Sequence, residues 1–399
     1  MSTRAAGRTS AETPRAGAGA GEIPFFAAQR EFAAHGRQLL ERASAVLADG
    51  QTLQGQQVRG FEHELAQRLG RAHAVAVGSG TDALFFALRA LRIGAGHQVL
   101  VPALSFIASA SCVLRAGAQP VFIDTDDRHL LQLHSAHSHI TQKTRAVIAV
   151  DLFGQTPHVE QLNAFAREHA LLVIEDAAQA LGAPRAGAIG HVSCVSFDPT
   201  KPLAAPGSGG ALLTDDAQLA QRVRRLRWHG RDDAGQFADL GYNSQLPELS
   251  AAMLRHKLQL EPRWRAARQS VAARYDAALE AVPGVQAPVR DELAAHSFSK
   301  YVLRTPQREQ LRALLGHAGV PTRVHYPRPL HLEPVFANAH GSADRDALSR
   351  DDARDGACPN AELAAREVLS LPIHAFLSDH EVQRVVDALT GAAVTLARG

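Results

Sequence analysis

Lysine is scarce in this chain, and one lysine lies where an amine could do chemistry. Only four of the 42 Lys and Arg residues are lysine, and one of the four is Lys201. Arginine neither forms a Schiff base nor loses its proton near neutral pH, so amine chemistry depends on these four positions. Lys201 follows an apolar run and is framed by prolines and small residues in the segment 196–203. That setting favours a lysine that forms an imine with a carbonyl compound.

The other three lysines have more ordinary surroundings. Lys143 lies in the polar run 141–145, Lys257 lies on an arginine-rich helical pattern, and Lys300 lies at the start of a short strand-like run. Lysine is almost never fully buried without a partner. We therefore predict that Lys143, Lys257 and Lys300 are surface residues.

A second segment has the features of an anion site. Residues 74–84 read as a strand that turns through Gly78 and Gly80 into a helix. The free N–H groups at a helix start and the positive end of its dipole suit a phosphate. The spacing also satisfies the dinucleotide fingerprint GxGxxG/A, which requires an acid at the end of the second strand. The second strand, Gln98–Leu104, contains no acid, so a site for a single phosphate is favoured over a dinucleotide site or a plain turn.

Two acids end another apolar run. Residues 171–179 form a buried-strand pattern that finishes in Glu175, Asp176 and, after two alanines, Gln179. Ligands bind at the carboxyl ends of strands in α/β proteins, and strand alternation turns only one of two adjacent side chains toward that crevice. A structural alternative is that these acids cap the next helix.

A phosphate site, a strand-end acid and a later lysine are together the parts of a pyridoxal phosphate (PLP) enzyme. The helix start anchors the phosphate, the lysine binds the aldehyde, and the carboxylate keeps the ring nitrogen protonated. Each part alone is a weak signal. Their order and their placement at strand ends make the combination specific.

The elements that must position these residues form a βα pattern. Apolar runs of strand length alternate with helical periodicity from residue 74 to 215, which is typical of a mostly parallel sheet with helices on both faces. The predicted strands are 74–77, 98–101, 120–124, 145–152, 171–175, 192–197 and 210–214, and the helices between them include 82–91, 107–115 and 159–170.

The pattern changes after Pro247. A long helix is predicted over 250–279, followed by a strand over 299–304 and a helix over 307–318. We predict a large domain over 23–249 and a smaller α+β domain over 250–399. Residues 1–22 are predicted to be a disordered tail, and the polar stretch 337–356 a surface loop or disordered insertion.

Composition excludes several function classes. A net charge of +2 offers no global basic field for nucleic acid or an anionic membrane. Three widely spaced cysteines indicate neither a disulfide framework nor a zinc site, which favours a reducing compartment. The acid- and base-free stretch 93–114 is interrupted by glycines, a proline and serines, so it reads as a turn, a strand, a loop and a helix rather than a membrane span. We expect a cytoplasmic protein without nucleic-acid or membrane partners.

The sequence resembles the DegT/DnrJ/StrS aminotransferases, PLP-dependent enzymes that aminate keto groups of nucleotide-linked sugars. The resemblance covers about residues 23–389. Its motifs are Gly55 with Phe61-Glu62, Ser79–Leu84, Val101–Phe106, Gly117–Asp124, Glu175–Gln179, Pro199–Lys201, Gly241–Ser244, His325–Pro327 and Leu371-Pro372.

The resemblance implies a fold-type-I aminotransferase, which is an α/β fold with a large αβα domain around a mostly parallel seven-stranded sheet and a smaller C-terminal domain. It also implies a homodimer with shared active sites and glutamate as amino donor. By matching position, Lys201 would hold the cofactor and transfer protons, and Asp176 would pair with the ring nitrogen. The further residues that it implies are Gln179 near the ring hydroxyl, Phe106 on the ring, Gly80, Thr81 and Ser196 at the phosphate, Asn243 at the phosphate of the other subunit, and His325, Tyr326 and His331 on the sugar-nucleotide side.

Three positions depart from the family pattern. Gln245 replaces a common arginine, which removes a cation from the substrate site and argues against a sugar carboxylate as ligand. Ser208 replaces a usual acid, and Asp198 stands where an aromatic residue or histidine is common. None of these changes removes a part that transamination needs.

Three other functions remain open from the sequence. A sugar dehydratase of the same family would carry histidine in place of Lys201. A PLP-binding regulatory protein would share the scaffold, although no helix-turn-helix or basic stripe is visible. A nicotinamide oxidoreductase would use the Gly78-x-Gly80 turn, and a cofactor absorbance spectrum would distinguish it.

Overall fold

The computed structural model describes residues 22–337 and 356–396. The predicted tail over 1–22 and the predicted loop over 337–356 therefore lie outside the described residues, apart from their end positions. None of the helices in the described ranges combines the length and the apolar character that a bilayer crossing requires.

A seven-stranded sheet forms the centre of the protein, and its strand order is β1-β7-β6-β5-β4-β2-β3. All neighbouring pairs are parallel except those of β7, which runs antiparallel to both β1 and β6. The strands are β1 His73–Val77, β2 Gln98–Pro102, β3 Gln119–Ile123, β4 Thr144–Val150, β5 Leu172–Asp176, β6 Val192–Ser196 and β7 Gly210–Thr214. The seven predicted strands are thus confirmed to within one or two residues at each end.

Helices cover both faces of this sheet. They are α1 Ala28–Asp49, α2 Gln56–Leu69, α3 Gly80–Ala90, α4 Ala108–Arg115, α5 Leu133–Ala136, α6 Val159–Glu168, α7 Ala217–Arg227 and α8 Glu248–Leu279. Strand alternation produces the two faces, since Val75 and Val77 of β1 join the apolar cluster with α3, whereas Ala74 and Ala76 join the cluster with α2 and α8. The predicted α/β class with a mostly parallel sheet is confirmed.

A second, smaller sheet pairs β8 Tyr301–Arg304 with β9 Val368–Leu371 in antiparallel orientation. The helices in this part are α9 Arg308–His317, α10 Pro334–Ala337, α11 Pro359–Glu367 and α12 Asp379–Leu396. Helix α8 contributes to two clusters, because Ala251 and Leu254 pack under the large sheet while Ala272 and Tyr275 pack with β8, β9 and α12. Whether the chain divides into domains at residue 249 stays a prediction.

The stretch 93–114 has the structure that its interruptions predict. It forms strand β2, a loop and helix α4 rather than a single helix. Short 3₁₀ turns complete the described secondary structure at His137–His139, Leu152–Gly154, Leu293–Ala295 and Leu330–Leu332.

Candidate active site

A cavity of about 400 Å³ lies at the carboxyl ends of the parallel strands. This is the edge where open α/β sheets place their ligands. Most of the residues predicted for the site line this one cavity, namely Gly80, Thr81, Phe106, Asp176, Gln179, Ser196, Lys201, His325 and Tyr326.

One end of the cavity is the start of α3. The Ser79 hydroxyl caps this helix by accepting a hydrogen bond from Asp82 N at 3.0 Å. Helix geometry leaves the N–H groups of Gly80 and Thr81 without an intrahelical acceptor, and the helix dipole adds positive potential there. A Cβ on Gly80 would lie 2.7 Å from Cβ of Ser196, so only glycine lets this backbone approach the β6 end so closely. Gly80, Thr81 and Ser196 together suit a phosphate group.

Asp176 ends β5 and is buried in the floor of the cavity. Its Oδ2 accepts a hydrogen bond from Ser109 Oγ at 2.7 Å, and its Oδ1 accepts one from Ala178 N at 3.2 Å. Burial raises the pKa of this carboxyl, while the Ser109 hydrogen bond and the nearby charge of Lys201 lower it. A buried carboxylate that holds two donors is suited to bind the protonated nitrogen of an aromatic ring.

Glu175 points to the opposite side of the sheet, as strand alternation predicts. Its two oxygens accept hydrogen bonds from Gly187 N at 2.8 Å and Ile189 N at 2.9 Å. Behind it lies Asp151, whose carboxyl oxygens meet no N–H or O–H donor among the described residues. Burial and the charges of Glu175 and Asp176 raise the pKa of Asp151 well above its usual value. The hydrogen bond between the carboxyl groups of Asp151 and Glu175 also raises the pKa of Asp151.

Lys201 lies in the loop that leaves β6, in the same cavity as Asp176. Its backbone N–H donates to the carbonyl of Asp198 at 2.9 Å, which fixes a tight turn beneath the side chain. Burial lowers the pKa of the Lys201 amine, and the charges of Asp176 and Asp198 oppose that shift. A lowered pKa increases the fraction of neutral, nucleophilic amine at neutral pH.

Three further side chains frame the space between Asp176 and solvent. The amide of Gln179 donates to the Tyr326 hydroxyl at 3.3 Å and accepts from Phe153 N at 3.2 Å, which orients it. The ring of Phe106 lies 6.1 Å from the ring of Tyr326 and is 50% exposed, so one face is free to stack on a flat ligand. His325 is held by Ser370 Oγ at 2.8 Å from its Nδ1, and burial beside Lys300 and other cations lowers its pKa to about 3.

Two predicted site residues do not reach this cavity. Asn243 is exposed, and its Oδ1 accepts a hydrogen bond from Gln245 Nε2 at 3.2 Å. His331 is fully buried, with its Nε2 at 3.1 Å from Glu362 Oε1. His331 is not among the residues that line the cavity, so its role on the sugar-nucleotide side stays a prediction.

The prediction that three lysines are surface residues is wrong for two of them. Lys143 is exposed, as predicted. Lys257 is buried because its ammonium has partners, the carboxylate of Glu31 and the carbonyl of Ala204. Lys300 is buried at the entry to β8 and lines the cavity with Lys201. Burial and the charge of Lys201 lower the pKa of Lys300 to about 7.

Two of the three positions that depart from the family pattern line the cavity, and the third does not. Asp198 and Ser208 both line the cavity. Asp198 is engaged locally, since its Oδ1 accepts from the backbone N and the hydroxyl of Thr200. Gln245 lies outside the cavity lining and pairs with the side chain of Gln54.

Sequence reasoning missed Ser109, Arg323 and Lys300. Ser109 supports Asp176 from the buried face of α4, and the signal for it was a serine on an otherwise apolar helix face. Arg323 lines the cavity two residues before His325. The scarcity of lysine was the signal that could have pointed to Lys300, because it makes every lysine in the chain a candidate for amine chemistry.

The residues present fit PLP. A helix start with free N–H groups and a serine suits its phosphate, a buried carboxylate suits its pyridinium nitrogen, and a lysine with lowered pKa suits its aldehyde. Phe106 offers a ring face for the flat heterocycle. A dinucleotide site would also need an acid at the end of β2, and β2 has none.

Comparison with known proteins agrees with this arrangement. The model of the DegT/DnrJ/EryC1/StrS aminotransferase family matches residues 34–390. A dTDP-3-amino-3,4,6-trideoxy-alpha-D-glucose transaminase of Streptomyces venezuelae is 38% identical over 387 residues, covering 95% of this chain and 96% of its own. A pleiotropic regulatory protein of Geobacillus stearothermophilus is 36% identical over 374 residues, covering 92% and 97%.

The similarity extends to the three-dimensional structure. The crystal structure of DesV from S. venezuelae, in complex with a ketimine intermediate, matches with a TM-score of 0.87 at 36% identity and covers 93% of this chain and 98% of that one. The family predicted from the sequence motifs is therefore confirmed. This chain belongs to the DegT/DnrJ/EryC1/StrS aminotransferase family.

Proposed function

We propose that the protein is a PLP-dependent aminotransferase that moves an amino group from a donor, glutamate, to a keto group of a nucleotide-linked sugar. The observation that carries this proposal is the meeting of Lys201, Asp176 and the α3 start around one cavity. A dTDP-, UDP- or GDP-linked deoxysugar is the acceptor class. The aminated nucleotide-linked sugar serves polysaccharide, O-antigen or antibiotic sugar synthesis.

The chain's own residues have separate tasks in this reaction. PLP, when bound, supplies an electron-withdrawing ring that stabilises negative charge on the substrate carbon that loses its proton. Gly80, Thr81 and Ser196 would hold its phosphate, and Asp176 would keep a proton on its ring nitrogen. Lys201 would hold the aldehyde group, and its Nζ as a free amine would take up the proton that the donor carbon loses and supply the one that the sugar carbon gains.

Exposed apolar side chains near the site support the homodimer. Phe237 is 74% exposed and Leu240 is 77% exposed, in the segment just before Asn243. Large apolar residues exposed together are typical of a protein–protein interface. We propose that this segment packs on a second copy and that Asn243 reaches the phosphate of the partner subunit's cofactor from there.

We propose a cytoplasmic location, which the state of the cysteines supports. The thiols of Cys112, Cys194 and Cys358 are all buried and form no disulfide, which suits the reducing cytoplasm. We also propose that the large domain covers 23–249 and the small domain 250–399, with residues of both around the cavity.

The experiment that tests the function compares Lys201→Ala with Lys143→Ala, whose lysine is exposed and distant from the cavity lining. We expect Lys201→Ala to lose the visible absorbance of bound PLP and all amine transfer, while Lys143→Ala keeps both. A panel of keto-sugar nucleotides with glutamate, scored by product mass, identifies the acceptor. Turnover by Lys201→Ala at the wild-type rate would contradict the proposal.

Specific observations argue against the alternative functions. Lys201 is present, whereas a sugar dehydratase of this family carries histidine there. A regulatory role is suggested by the name of the G. stearothermophilus relative. The meeting of Lys201, Asp176 and the α3 start in one cavity favours catalysis over a purely regulatory role.

A further inference from the structure

Lys300 is a second buried amine in the cavity of Lys201. It lies immediately before β8 and is only 6% exposed, although it is a lysine. Its backbone N–H donates to Phe153 O at 3.2 Å. Among residues 22–337 and 356–396, no hydrogen bond or ion pair is formed by its ammonium. The contrast with Lys257 is direct, because that buried lysine has both Glu31 and a carbonyl as partners.

A buried amine without a partner is unfavourable when it is charged. The charged groups that face Lys300 are mainly of the same sign, namely Lys201 and Arg323, with Asp198 as the nearby acid. The charge of Asp198 offsets these cations only in part, because burial and the charge of Lys201 still lower the pKa of Lys300. His325, which also faces Lys300, is held neutral because these cations and burial lower its pKa.

Lys300 also borders a neighbouring apolar cavity of about 340 Å³. The ionisable residues there include Glu31, Lys257, Arg268 and His374. Glu31 is engaged by Lys257, and burial lowers the pKa of both Arg268 and His374. That side therefore supplies no free anion for Lys300 within the described residues.

Arg323 is the second cation at this wall. Its guanidinium lies 5.2 Å from the ring of Phe25 and 4.8 Å from that of Phe26, which positions it at the cavity. It forms no ion pair with an acid in the part of the chain that the structure describes. Arginine presents a planar fork of donors that matches a carboxylate, and lysine supplies a point charge beside it.

We propose that Lys300 and Arg323 form a carboxylate-binding subsite beside Lys201. The inference rests on the proposed function and names the anionic group that the site takes. A carboxylate is brought to this wall either by the amino donor, which is then a dicarboxylic amino acid, or by an acidic sugar. In both cases the bound anion neutralises two cations that have no acid partner in the described protein.

Binding of this kind is coupled to protons. The pKa of Lys300 is about 7 in the protein without ligand, so at pH 8 the amine is mostly neutral. A carboxylate beside it raises that pKa, and Lys300 takes up a proton as the ligand binds. Affinity should therefore weaken as the pH rises above 7.

The test is calorimetric titration of the PLP-loaded enzyme with glutarate, a dicarboxylate that has no amine and does not react. Titration at pH 8 in two buffers of different ionisation enthalpy gives the proton uptake. We expect Lys300→Met and Arg323→Met each to weaken glutarate binding about tenfold or more, because each removes a charge-assisted hydrogen bond. Lys300→Met should also abolish the proton uptake, and Lys300→Arg should restore affinity without it.

Lys143→Met is the matched control and should leave both quantities unchanged. Unaltered visible absorbance of the cofactor shows that each variant keeps its site. A parallel titration with glucuronate and with uncharged glucose identifies which ligand supplies the carboxylate. If Lys300 is needed for glutarate affinity, the carboxylate belongs to the amino donor. If Lys300 is needed for glucuronate affinity, the carboxylate belongs to an acidic sugar.

The proposal is overturned if both Met variants bind glutarate and glucuronate within twofold of the wild type. Such a result leaves the proposed amine transfer intact, which a product-mass assay of the same preparations measures separately. The converse outcome is that the two Met variants lose glutarate binding while the wild-type enzyme transfers no amine to any keto-sugar. That result refutes the proposed function and leaves the carboxylate subsite standing.

Discussion

Gly210 links the sheet to the phosphate end of the site, and its substitution gives the sharpest test of that geometry. Gly210 begins β7 and pairs with Val77 of β1 on one side and Ser196 of β6 on the other. A Cβ at this position would lie 2.5 Å from Gly80 N and also 2.5 Å from C and O of Ser79. All three are backbone atoms at the start of α3, which cannot rotate away as a side chain would.

The size of the effect follows from those distances. Ordinary contact begins at 3.4 Å, so in Gly210→Ala the helix start must move by about 0.9 Å or the strand must yield. Overpacking of this kind costs about 1–3 kcal/mol of folding free energy. The displaced N–H groups of Gly80 and Thr81 also lose alignment with the phosphate. Loss of one charge-assisted hydrogen bond, about 1.5–3 kcal/mol, corresponds to PLP affinity that is about tenfold to a hundredfold weaker.

Two measurements separate the two effects. Urea unfolding of the cofactor-free protein reports the free energy of unfolding, and titration with PLP followed by absorbance reports affinity. Gly316→Ala is the control, because the new methyl group on α9 would have no described atom within 4 Å apart from its chain neighbours and the nearby backbone of its own helix. This control should gain about 0.5–1 kcal/mol of stability. PLP affinity within threefold of the wild type in Gly210→Ala would refute the idea that this close approach sets the phosphate site.

Three other predictions concern buried ionisable groups. Asp176→Asn should keep PLP bound but slow amine transfer about a hundredfold or more in single-turnover absorbance assays, since the neutral amide no longer holds a proton on the ring nitrogen; an unchanged rate would exclude that role. Asp151 has a raised pKa in the folded state, so its contribution to stability is complete below the unfolded pKa near 4 and is lost as pH rises toward the folded pKa. Asp151→Asn, which still donates to Glu175, should therefore gain stability relative to the wild type between pH 4 and 8 in urea unfolding; parallel pH profiles would contradict this. Burial raises the pKa of Cys112 and Cys194, so iodoacetamide should modify neither cysteine in the native protein. Mass spectrometry of digests measures the modification, and rapid alkylation would indicate that the structure around them opens.

Local patterns predicted much of this structure. Each buried strand is a continuous apolar run bounded by polar or turn residues, and such runs identify strands of a parallel sheet. They carry no information on direction, however, so the antiparallel placement of β7 beside β1 and β6 was not predictable from Gly210–Thr214 alone. Direction depends on how the loop that contains Lys201 folds back, which is a tertiary property.

The site shows the same division. Asp176 and Lys201 were found because an acid and an amine at strand ends have few structural reasons to be there. Lys300 was missed because one residue before a strand is an ordinary place for an exposed lysine, and only packing shows that it is covered. His331 was placed in the site by family position alone, whereas its burial beside Glu362 depends on how α11 packs.

The edge position of β1 gives the cofactor a mechanical role as well as a chemical one. Among the described strands, β1 is an edge strand that pairs with β7, and the α3 start follows it directly. The phosphate group of PLP would thus fasten this outer strand, while Asp176 and Lys201 fasten the same molecule from the middle of the sheet. Any ligand that binds only the folded state adds about 2.7 kcal/mol of stability at a hundredfold excess over its Kd. A cell short of vitamin B6 would accordingly lose this enzyme through unfolding and degradation, and not through idle active sites alone.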